Sequence, residues 1–139
     1  MTLYNQFATD REKETDGVEV SYAPNEDGTV PTFVVARTSK TNKQYTKALE
    51  KAIRPYKRQI DLGTMDNDVA EEIFRTVFAK TILKGWSGIQ DKDGNEFPYT
   101  TANAIKLLTD LPDLYEDLQE RAKSAAAFKQ ESLEDDAKN

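Results

Sequence analysis

By residue type, the stretch best equipped for chemistry is Asp91-Lys92-Asp93-Gly94-Asn95, where close carboxylates beside a glycine are the parts of a calcium-binding loop. The register fails. With Gly94 at the loop's obligatory glycine, Ile89 falls on the first ligand position and Thr100 on the closing bidentate glutamate position. The same residues suit a tight turn, because Asp-Gly supplies both a side-chain acceptor and a permissive backbone. Paired carboxylates are the other candidate chemistry, since 25 acids bring some pairs together by chance. A glycosidase-type pair needs a separation of roughly 5–10 Å that a sequence does not display. With no His the chain lacks the side chain that shuttles protons most easily near neutral pH. With no Cys it has neither disulfides nor thiolate metal sites. The expectation is a protein without catalytic activity, cofactor or metal, which acts by binding other proteins.

Charge is the chain's strongest signal after that. The formal net charge is −6, yet residues 37–58 hold eight bases against one acid inside an otherwise acidic chain. Lys43, Lys47, Lys51, Arg54, Lys57 and Arg58 are the candidate partner-binding residues. Three readings stay open for them: a solvated or internally neutralised face, a surface for an acidic segment of another protein, or a nucleic-acid contact. Tyr45 and Tyr56 fall on the apolar side of the same segment, which argues against base stacking and makes nucleic acid the weakest of the three.

These residues must be positioned by a modest core. At 139 residues, 37% of them hydrophobic, the chain has the length of one domain. Residues 1–17 read as a flexible arm with Tyr4 and Phe7 as its bulky groups, 18–130 as a single mainly helical domain, and 131–139 as an acidic, frayed tail. Val18, Val20 and Tyr22 alternate with polar residues, and Thr32-Phe33-Val34-Val35 is rich in β-formers. With Pro24 and Asp27-Gly28 between them, an N-terminal β-hairpin is predicted. Tyr45, Ala48, Leu49, Ala52, Ile53 and Tyr56 share one face of a helix that Pro55 should kink or break. Asp66 caps a second helix whose apolar face runs from Val69 to Ile82 and which is expected to stop near Gly85. The segment from Trp86 through Tyr99 reads as a short hairpin-like loop, its aromatics packing it onto the domain. Thr100 caps a short helix, and Pro112 opens a final one bearing Leu114, Tyr115, Leu118, Ala122, Phe128 and, further on, Leu133. The fold class predicted is mainly α. No apolar run approaches the roughly 18 residues of a membrane span, and the first residues lack the basic-then-apolar order of a secretory signal. No membrane role is expected.

The run Ala79-Lys80-Thr81-Ile82-Leu83-Lys84-Gly85-Trp86-Ser87-Gly88-Ile89-Gln90-Asp91-Lys92-Asp93-Gly94, continued by Phe97-Pro98-Tyr99-Thr100, resembles the middle of small tail assembly chaperones of long-tailed bacteriophages. The ending, Leu111-Pro112-Asp113-Leu114 and then Phe128-Lys129-Gln130-Glu131 and Asp135-Asp136-Ala137-Lys138-Asn139, is similar to theirs too. The resemblance covers residues 40–139. It implies a mostly helical protein, the short non-frameshifted form, that keeps the tape measure protein soluble and helps recruit tail tube subunits. It further implies self-association into rings or spirals, residence in the host cytoplasm and absence from the finished virion. On this reading the helices Val69–Ile82 and Leu114–Phe128 form the client groove, with the six cations as its margin or as the contact to an acidic neighbouring subunit. A structural or adaptor protein retained in the particle is the alternative.

Overall fold

The computed structural model describes residues 2–124 and Phe128. Its organising element is a sheet. Strands β1 (Val18–Ser21) and β2 (Thr32–Val35) pair antiparallel, Val18 opposite Val35 and Ser21 opposite Thr32. Their connection is closed by the Asn25 amide donating to the Thr29 carbonyl at 2.8 Å and by the Asp27 carboxylate accepting the Thr29 amide at 3.0 Å. The expected hairpin is therefore present. A third strand, β3 (Leu83–Ser87), then pairs antiparallel with the other edge of β2, giving the order β1-β2-β3.

That third strand corrects the expectation of a mainly helical fold, because the molecule is mixed α/β, built on a three-stranded antiparallel sheet. It also moves the end of the second long helix, which stops at Thr81 instead of running to Gly85. A bulge explains why the strand's pattern is hidden. The register slips between Val34 and Val35, so that Gly85 faces Val34 while Leu83 faces Val35 and Lys84 is the extra residue. Leu83 and Trp86 thus stand opposite Val35 and Phe33, the two buried residues of β2, although they are three positions apart. After Phe78 and Ile82, a three-residue step continues a helical rhythm and conceals the two-residue period of a strand.

One face of the sheet is covered by helices and holds the core. Val20, Phe33, Val35 and Leu83 pack there with Phe78, Ala79 and Ile82, and with Ala104, Leu108, Leu118 and Ala122. Tyr22 and Trp86 meet Phe33 edge-on at ring-centroid distances of 5.8 and 5.9 Å. On the opposite face small polar side chains meet water, with the Ser21 and Thr32 hydroxyls 2.9 Å apart.

Helices α1 (Leu3–Phe7) and α2 (Arg11–Asp16) precede the sheet. Between β2 and β3 come α3 (Lys43–Ile53), a 3₁₀ turn (Arg54–Tyr56), α4 (Lys57–Leu62) and α5 (Asn67–Thr81). The break at Pro55 is the expected one, since proline has no amide for the preceding turn and disfavours helical geometry before it. The Asn42 and Asp66 side chains accept amides of the first turns of α3 and α5, supplying partners the helix cannot. After β3, Thr100 caps α6 (Thr101–Asp110) and Pro112 starts α7 (Pro112–Lys123). The last helix closes at Ser124, short of the expected Phe128. Phe128 is itself fully buried, and its carbonyl accepts the Asp10 amide at 2.8 Å. The acidic tail expected at 131–139 lies outside the described residues.

Candidate functional site

Helix α3 carries the basic cluster and buries no residue completely. Its apolar side, Tyr45, Ala48, Leu49, Ala52 and Ile53, is only half covered where it leans on α5. Along the contact a groove of about 600 Å³ stays open. Ala48, Ala52, Pro55 and Tyr56 form one wall, Val69, Ile73 and Val77 the other, and Lys51, Glu72 and Lys80 reach its margins. The floor is apolar and the margin net cationic, which suits an amphipathic helix with an acidic flank.

Of the six predicted residues, Lys43, Lys47 and Lys51 follow one another at four-residue spacing and share a ridge of α3, exposed throughout. Lys51 borders the groove. Lys43, at the start of α3, instead lines a separate depression with Phe7, Glu14 and Arg37. Arg54 in the 3₁₀ turn and Lys57 and Arg58 in α4 are exposed beyond the far end of α3. Among the described residues, one of the six has an acid within ion-pair distance: Arg54 stands 3.7 Å from Glu50, with both side chains about 70% exposed. A pair so solvated contributes little, so the cluster keeps its charge for other contacts. Sequence reasoning missed Lys80, on the opposite wall, because it looked for cations in one continuous block. Lys84 was missed as well; its Nζ donates to Gln44 Oε1 at 2.6 Å and ties the bulge of β3 to α3.

The groove predicted between Val69–Ile82 and Leu114–Phe128 has a different character. The depression between α5 and α7 is lined by Phe74, Pro112 and Tyr115, with Glu71, Glu116 and Glu120 facing Arg75 and Lys123. None of the six cations lines it. Of the six, Lys51 alone lines the α3–α5 groove instead. Tyr115 meets Phe78 edge-on at 5.4 Å, and burial first of all pushes its phenol up to about 12.

The residues weighed for chemistry serve the backbone. Asp91 Oδ1 accepts the amides of Asp93 and Asn95 at 2.9 and 3.0 Å, and Gly94 has φ +82°, so the calcium-like stretch is a turn closed by its own carboxylate. Among the described residues no three His, Cys, Asp or Glu side chains converge in a way that would hold a metal ion. Thr29 hydrogen bonds lower Asp27, and the Lys106 ammonium lowers Asp110, the opposite of the raised value a general acid requires. Trp86 stacks on Phe97 at 5.9 Å, meets Tyr99 edge-on at 5.2 Å, and donates its Nε1 hydrogen to the Phe97 carbonyl at 2.8 Å. These aromatics fasten the loop after β3, as their spacing predicted.

Comparison with known proteins adds one finding. The family described as YdaY prophage protein matches residues 40–139, which includes α3, α5 and the groove between them. No curated protein and no solved structure matches the chain.

Proposed function

The chain belongs to the phage-related YdaY prophage protein family, and from this premise we propose that it is a tail assembly chaperone, a protein that works by binding and catalyses nothing. The supporting observation is the α3–α5 groove: an open apolar channel about 600 Å³ in volume, with Lys51, Glu72 and Lys80 at its margins and Lys51 continuing into the exposed ridge of Lys43 and Lys47 on α3. A tape measure protein before assembly is a long amphipathic helix that must be kept from aggregating, and such a helix is the partner this channel fits. Tail tube subunits would be recruited to the loaded client in the host cytoplasm, and the chaperone would leave before the virion is complete. No described helix is long and apolar enough to cross a membrane.

Co-expression with the tape measure protein encoded nearby tests the proposal through soluble yield and co-purification. The wild-type chain should raise both. Lys47→Glu with Lys51→Glu should weaken capture of the client, because reversed charge repels an acidic flank. Since exposed substitutions seldom shift stability by more than about 0.5 kcal/mol, the fold should survive. A client equally insoluble with and without the chain would defeat the chaperone reading. Finding the chain in purified particles by mass spectrometry would favour a structural protein instead.

A further inference from the structure

The depression at the start of α3 has a chemistry that the α3–α5 groove does not share. Its volume is about 670 Å³, within the roughly 300–1,000 Å³ typical of small-molecule sites. Arg11, Arg37, Lys40 and Lys43 line it, with Glu14 as its one acid. Glu14 is already engaged, its carboxylate accepting Arg37 Nη1 at 2.8 Å, so that pair is neutral. Among the described residues, Arg11, Lys40 and Lys43 have no acid within ion-pair distance. Three cations therefore border one hollow without a counter-charge, in a chain whose formal net charge is −6. Cations gathered in this way repel one another, and an anion held between them removes that repulsion.

The fold fixes the frame around them. Arg11 and Glu14 share one face of α2, while Arg37 and Lys40 lie on the link from β2 to α3, which Lys43 opens. The Arg37 amide donates to the Glu14 carbonyl at 2.9 Å, and the Thr41 hydroxyl donates to Glu14 Oε2 at 3.3 Å. Asn42 is buried, and its Nδ2 donates to the Arg37 carbonyl at 2.9 Å. Arg37 Nε is buried without a hydrogen-bond partner, so a guanidinium already oriented by Glu14 keeps a donor unmatched. One guanidinium satisfies a carboxylate. Several cations around one hollow suit a linked chain of phosphates, each ester carrying roughly −1.5 to −2 charges and three acceptor oxygens. Phe7 is the one aromatic residue lining the depression, and it is 74% exposed, which leaves a ring face on which a flat base stacks. We propose that this depression binds a nucleoside di- or triphosphate, with its phosphates among Arg11, Arg37, Lys40 and Lys43 and its base on Phe7. None of these residues lines the α3–α5 groove, so the site stands or falls apart from the chaperone reading.

Isothermal titration calorimetry of the purified full chain with ATP, tripolyphosphate, adenosine and a short single-stranded DNA tests this directly. ATP should bind at one site, tripolyphosphate more weakly, and adenosine not measurably. Lys40→Ala with Lys43→Ala, both exposed positions, should weaken ATP binding at least about tenfold. Phe7→Ala should weaken ATP about tenfold and leave tripolyphosphate unchanged, since only the base meets the ring. Lys51→Ala with Lys80→Ala removes the same charge from the α3–α5 groove and should leave ATP binding unaltered. Near-ultraviolet circular dichroism of Trp86 would show that the variants are folded. No ATP binding at millimolar concentration, or an equal loss in the groove variant, which would reduce the effect to overall charge, would each overturn the proposal. So would ATP and tripolyphosphate binding alike with Phe7→Ala silent, or DNA bound more tightly than ATP and lost with Lys47→Glu and Lys51→Glu, the mark of a nucleic-acid surface along α3.

Discussion

Among the described acids, Glu14 is the one that the fold buries. Its side chain is 10% exposed, one oxygen accepts Arg37 Nη1 at 2.8 Å, and the other accepts the Thr41 hydroxyl at 3.3 Å. The backbone is joined at the same place, the Arg37 amide donating to the Glu14 carbonyl at 2.9 Å, so this one residue ties α2 to the strand β2 exit. Burial alone would raise its pKa. Hydrogen bonds from Thr9, Arg37 and Thr41, together with the Arg37 charge, outweigh burial and bring it below the ordinary 4.5. A carboxyl lowered on folding contributes stability that is fully present above its unfolded value and is lost as pH falls through the folded one. Glu14→Gln should therefore cost about 2 kcal/mol near neutral pH, the worth of hydrogen bonds to a charged group. Denaturation midpoints of wild type and variant should converge as pH drops below 4.5. A gap that stays constant into acid would mean that shape, not charge, makes the contact. None of this was legible beforehand, because nothing in the sequence pairs Glu14 with a residue 23 positions away.

Among the elements, what could be read depended on whether the local period survived. The β1–β2 hairpin, the break at Pro55 and the caps Asp66 and Thr100 were legible, since alternation, a missing amide and a side-chain acceptor act within a few residues. The strand β3 was not, because the bulge at Lys84 sets Leu83 and Trp86 three apart and its pairing partner lies about fifty residues upstream. Its exit holds a glycine that the geometry demands. Gly88 has φ +69°, and a Cβ there would stand 2.4 Å from the Val30 carbonyl oxygen, a backbone atom that has no easy way to yield. Gly94 has φ +82° with open space around it. Gly88→Ala should thus cost about 3 kcal/mol, against about 1 kcal/mol for Gly94→Ala, where only the backbone conformation is penalised. Thermal unfolding of the two variants measures the difference. Equal losses would show that the Gly88–Val30 approach relaxes freely.

At the scale of the whole molecule, burial divides the chain into a tight part and a loose one. Ile82, Leu83, Val35, Leu108 and Leu118 are at most 1% exposed, whereas α3, the 3₁₀ turn and α4 bury no residue completely. Local opening follows buried apolar contact, so residues 43–62 should open at a lower free energy than the sheet and the C-terminal half of α5. This also bears on the proposed function, because one wall of the α3–α5 groove belongs to the loose part and can adjust to different turns of a long client helix. The basic ridge was legible in sequence. Its wall was not, since the partial burial of Ala48 and Ala52 depends on how closely α3 approaches α5, which no local pattern encodes. Hydrogen–deuterium exchange of the free protein should show peptides from 43–62 exchanging well ahead of those from 77–87. An acid-flanked amphipathic peptide added in excess should slow exchange in 43–62 and around Lys80, leaving the sheet unchanged. Uniform exchange across the free protein would refute the two-part division. Protection by the peptide at Tyr115 and Glu120, in place of α3, would move the client seat to the acidic depression between α5 and α7.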